Sequence, residues 1–64
     1  MNYQEIKCAI RVADENAQSG CLSLANDMIH NVLREGGTIH DIQSIMAPES
    51  LKALRKWARK QAKV

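Results

Sequence analysis

An all-α fold follows from three features of this 64-residue chain. Its apolar residues recur at three- and four-residue steps, with no alternating segment that would read as a strand. It is rich in Ala, Leu, Ile, Lys, Glu and Gln and holds one Tyr, one Trp and no Phe, a composition that favours helix. Its glycines fall only between the periodic stretches, at Gly20 and Gly36-Gly37. The expected arrangement is an antiparallel helical hairpin, then a short helix and a basic amphipathic C-terminal helix, all in one domain over residues 1–64.

The first helix is expected over residues 3–18. Tyr3, Ile6, Ala9, Ile10, Ala13 and Ala17 share one face, and Gln4, Lys7, Arg11, Asp14, Glu15 and Gln18 lie opposite. Asn2 is suited to cap it and Ser19-Gly20 to end it. The second helix, over 22–35, carries Leu22, Ala25, Ile29, Val32 and Leu33, with Gly36-Gly37 as its stop. So short a connection forces the two helices antiparallel and adjacent. Thr38, with Asp41 three residues on, forms an acidic capping box for a helix over 39–45 that presents Ile39, Ile42, Ile45 and Met46. Ala47-Pro48 then breaks the chain, and Pro48 suits the first turn of a fourth helix over 48–62. Leu51, Leu54, Trp57, Ala58 and Gln61 form its inner face. Leu51, Leu54, Trp57 and Ala58 are expected to complete the core, with Trp57 substantially buried.

Charge is segregated along the chain. Three basic and six acidic residues precede Ala47, whereas six basic and one acidic follow from there, so the two parts carry −3 and +5. Leu24, Met28 and Cys21 widen the stripe of the second helix, and Val12 does the same on the first. This extra flank is either core covered by the C-terminal segments or a second subunit, or an exposed groove for a partner helix. A chain this short rarely buries enough apolar surface to be comfortably stable alone, and a homodimer is the expected remedy.

Signatures of chemistry are missing from the sequence. There is no phosphate-binding glycine loop, and Gly36-Gly37 has no preceding strand. His40 and Asp41 are sequence neighbours, so on a helix they point about 100° apart and form no relay. His30, His40, Cys8 and Cys21 lack the spacing of a metal site, so no enzyme activity and no cofactor or metal are expected. With no apolar leader ahead of them, Cys8 and Cys21 are expected to be reduced thiols in a cytoplasmic protein, Cys8 exposed and Cys21 buried at a tight corner. No run approaches the ~18 apolar residues of a membrane span. The apolar face of the fourth helix is a weak interfacial anchor, so no membrane role is expected.

Lys52, Arg55, Lys56, Arg59, Lys60 and Lys63 make the basic face of the fourth helix. Three readings compete for it. It is a solvated surface, a face for an acidic protein partner, or a set of phosphate contacts for nucleic acid. Net charge of +2 and the acidic hairpin weigh against the last. Val12, Leu24 and Met28 are the candidate apolar contacts for a partner or a second copy.

Two resemblances can be stated. Residues 9–36, with Gly20 at the corner, Ala25 one turn into the second helix and a VLREGG ending, resemble a tetratricopeptide-type hairpin. The Trp, Leu-Gly and Tyr positions of that family's first helix are missing, and one copy stands where about three make a stack. In size, helical content and charge segregation, the whole chain is similar to the small accessory early proteins of lambda-like temperate phages. That resemblance implies a non-enzymatic protein that modulates host or phage processes by binding, and it assigns no functional residue.

Overall fold

Asn2 and Thr38 each open a helix by the same reciprocal device. The Asn2 Oδ1 accepts the Glu5 N–H at 2.9 Å and the Glu5 carboxylate accepts the Asn2 N–H at 3.2 Å. Thr38 Oγ1 accepts the Asp41 N–H, and Asp41 Oδ2 accepts the Thr38 N–H, both at 3.1 Å. Each pair satisfies two backbone donors that a helix start otherwise leaves open. The computed structural model describes residues 1–62, which form α1 (Tyr3–Gln18), α2 (Leu22–Arg34), α3 (Ile39–Ile45) and α4 (Pro48–Ala62).

The helix ends are equally local. After α1 the Cys21 N–H reaches back to the Asn16 carbonyl at 2.8 Å and the Gly20 N–H to Ala17 at 3.2 Å, around Gly20 at φ +90°. This is a Schellman turn, and its left-handed residue favours glycine. After α2 the Gly37 N–H bonds to the Val32 carbonyl at 2.9 Å, around Gly36 at φ +105°. Gly37 is needed for a different reason. A Cβ there would run into the Val32 side chain and come within 3.0 Å of the Val32 carbonyl oxygen.

α1 and α2 form the hairpin, and α3 and α4 pack against it. Ile6, Ile10 and Ala17 of α1 meet Ala25 and Val32 of α2, and the C-terminal elements add Ile42, Met46 and Leu54. Ile10 and Val32 are the largest side chains wholly removed from solvent. The α3–α4 corner is fixed to α1 by one tertiary hydrogen bond, from the Ala47 N–H to Asp14 Oδ1 at 3.2 Å. Gln18 Nε2 donates to the other Asp14 oxygen at 3.0 Å, which holds the carboxylate in place. Pro48 then begins α4, and the Ser50 and Leu51 amides bond to the Ala47 carbonyl.

Several expectations need correction. α2 ends at Arg34, and Leu33 is exposed rather than on its buried face. Cys21 is exposed, because it is the last residue of the α1 turn and immediately precedes α2, and both duties are met by its backbone. Tyr3 is exposed, with the Lys7 ammonium 5.1 Å from its ring centroid. Ile39 is 63 % exposed, since a seven-residue helix has two turns and Ile42 and Met46 take its inner side. In α4 the buried residues are Leu54 and Ser50. Trp57 is only partly buried and stands apart from the main core, Gln61 and Ala58 are exposed, and Leu51 is half-buried.

Candidate functional site

An apolar groove runs between α2, α3 and α4. Its floor is Ile29 and Leu33 from α2, Ile39 and Ile42 from α3, and Leu51 and Leu54 from α4. These side chains converge because α2 is apolar over two flanks. Ala25 and Val32 face the core, and Ile29 and Leu33 turn toward α4. The polar groups at the rim are Asn26, Gln43 and Arg55, and no carboxylate lines the groove among the described residues. Its volume is about 250 Å³ and it is open to solvent. That is below the roughly 300–1,000 Å³ that encloses a small molecule, but an open slot of this kind can take protruding apolar side chains.

Arg55 is the basic residue that the fold brings to the groove. Arg59 and Lys52 follow within about 60° of it around α4, so one wall of the groove continues into the basic face. Lys52, Arg55, Lys56, Arg59 and Lys60 are all exposed, and among the described residues none of them pairs with a carboxylate. Lys63 lies outside the described residues. The groove itself was not evident from the sequence. The broad apolar arc of α2 was its only signal, and that arc did not say which flank the C-terminal helices would leave open.

They leave the other flank open too. Val12 is 44 % and Leu24 52 % exposed, and Met28 is half-buried. Asn16 sits among them, donating to the Val12 carbonyl at 2.9 Å and lying 3.6 Å from the Met28 sulfur. Glu5 and Glu15 on α1 and Asp27 on α2 fall within about 60° of Val12 or Leu24 around their helices, and no lysine or arginine does. The molecule therefore has two uncovered apolar surfaces of opposite charge. One is the groove with its basic wall, and the other is the hairpin patch with its acidic border.

Asp41 and Ser44 are occupied structurally. Ser44 Oγ donates to the His40 carbonyl at 2.8 Å and the Asp41 carboxylate is held by Thr38, so these three do not combine into a proton relay. No group of three or more His, Cys, Asp or Glu that could hold a metal ion occurs among the described residues. No helix among them is long and apolar enough to cross a membrane. No family model, curated protein or solved structure matches the chain.

Proposed function

We propose that this chain is a small non-enzymatic regulatory or adaptor protein that acts through protein–protein contacts, with the α2–α3–α4 groove and the adjoining basic face of α4 as its contact surface. The observation that carries the reading is the continuity of the two. An open apolar floor with Leu33 37 % exposed runs directly into a wall headed by Arg55, and no carboxylate neutralises it among the described residues. A partner presenting apolar side chains beside an acidic surface satisfies both halves. The exposed free thiols Cys8 and Cys21 suit a reducing cytoplasm. The resemblance to early phage accessory proteins gives such an adaptor a process to modulate, that of the host or the phage.

A second reading is nucleic-acid binding, favoured by the exposure of all five described basic residues of α4 without ion pairs. One experiment separates the two. The purified chain is used to capture partners from a nuclease-treated lysate of its source, and is tested in parallel on mixed-sequence duplex and single strand at two salt concentrations. The protein reading expects nuclease-resistant capture that is lost on Leu33→Asp and on Arg55→Glu. Binding to either nucleic acid that falls steeply with salt, and that Lys56→Glu with Arg59→Glu abolishes while helicity is kept, transfers the function to the second reading.

A further inference from the structure

We propose that the occupant of the groove in the absence of another partner is a second copy of this chain, seated head to tail, with the Val12–Leu24–Met28 patch of one copy in the α2–α4 groove of the next. The proposal rests on the reading of the groove as a docking surface and adds what covers it. Two observations select this pairing. Both surfaces are apolar and uncovered, with Leu24 and Val12 exposed on one and Leu33 and Ile39 exposed on the other. Their surroundings are of opposite sign, Glu5, Glu15 and Asp27 around the patch against Arg55 at the groove, with Arg59 and Lys52 beyond it on the same side of α4.

The same charges decide the symmetry. Most homodimers are two-fold and place identical surfaces face to face. Here patch on patch would gather the carboxylates of both copies, and groove on groove would gather their arginines and lysines. Like charges brought together across an interface are strongly disfavoured. Only patch on groove pairs each surface with its complement. Such a contact is heterologous, so each pair retains one free patch and one free groove and can grow further. It also hides the groove, so self-association and capture of another protein compete for one surface.

Sedimentation velocity over a concentration series, at low and high salt, tests this with the full chain. The wild type is expected to grow beyond two copies as concentration rises, and to do so less in high salt. Leu24→Lys disables the patch and Arg55→Glu the groove, and each alone is expected to weaken association about tenfold or more. Mixed one to one, the two variants keep one intact surface each and are expected to form a complex that stops at two copies. Both sites are exposed, and circular dichroism checks that the helices persist. As a further guard, Glu15→Lys with Asp27→Lys is expected to weaken association, and adding Arg55→Glu and Arg59→Glu to the same chain to restore it.

A wild type that stays monomeric up to millimolar concentration overturns the proposal, as does a mixture that fails to associate. So does an Arg55→Glu chain that self-associates as the wild type does, which is the result a patch-on-patch dimer gives. If that variant still self-associates but loses capture of its protein partner, the groove reading stands and only the head-to-tail contact falls. If it loses neither, both fall.

Discussion

The hairpin and the C-terminal pair are held by different kinds of interaction. In α1–α2 nearly every constraint is local: the Asn2–Glu5 box opens α1, the Gly20 turn closes it, and Gly36 closes α2. Between these points two helices of 16 and 13 residues pack along their length through Ile6, Ile10, Ala17, Ala25 and Val32. The α3–α4 pair has good local starts of its own, at Thr38 and Pro48, but it is attached to the hairpin by few groups. Its buried apolar side chains are Ile42, Met46 and Leu54, and among the described residues its one hydrogen bond to α1 runs from Ala47 to Asp14. The lesson is that the hairpin is specified by its own sequence, while the placement of α4, and with it the groove, depends on a handful of anchors.

The sharpest way to break that contrast is Leu54→Ala. Truncating a buried leucine costs about 2–5 kcal/mol, whereas a chain of this size has a total stability on the order of 3–10 kcal/mol. We expect urea unfolding followed by circular dichroism to shift to much lower denaturant. Trp57 lies three residues on in the same helix, so its fluorescence reports α4 directly. If α4 is the weakly anchored part, the fluorescence transition of the variant moves ahead of the helical one. Coincident transitions would show a single cooperative unit and remove the distinction between the two regions.

Asp14 tests the same boundary from the hairpin side, with a smaller effect. Asp14→Ala leaves the partly buried Ala47 amide without its acceptor and removes a carboxylate from the positive end of α4, a loss of about 1–3 kcal/mol. Asp14→Asn keeps an acceptor oxygen and is expected to recover part of it. Thermal melts of the three proteins check the order, and an Asp14→Ala melting temperature equal to the wild type would remove this bond from the list of anchors.

These anchors also mark where the sequence stopped being legible. Helical periodicity, the Asn2 cap, the Thr38–Asp41 capping box, the glycine stops and the Pro48 start depend on residues within about four positions of one another, and all could be read directly. Asp14 could not, because on periodicity alone it belongs to the polar face of α1, and its partner is a backbone amide 33 residues away. The exposure of Ile39, Ala58 and Leu33 was hidden for a related reason. Periodicity says that a face is apolar but not whether a neighbouring helix reaches it, and the groove exists because α2, α3 and α4 meet without covering these three. The basic side chains of α4 were evident as a group, but that Arg55 alone borders an apolar floor is a property of how three helices cross.

The smallest predicted effect concerns the other buried residue of α4. Ser50 is 2 % exposed, and its Oγ has no hydrogen-bond partner among the described residues. A small residue is required where α4 begins against the hairpin, but a hydroxyl is not, and one buried without a partner opposes folding. Ser50→Ala keeps the volume nearly unchanged, removes the unmet polar group and raises helix propensity. We therefore expect it to stabilise the fold by about 0.5–1 kcal/mol, seen as a higher urea midpoint with an unchanged slope. A gain confined to the Trp57 transition would place the benefit in the attachment of α4, and a gain shared by both probes would place it in the whole domain. A loss of stability would instead mean that the hydroxyl holds a hydrogen bond at the start of α4, and that the C-terminal pair has one more anchor than Asp14 and its three buried apolar side chains.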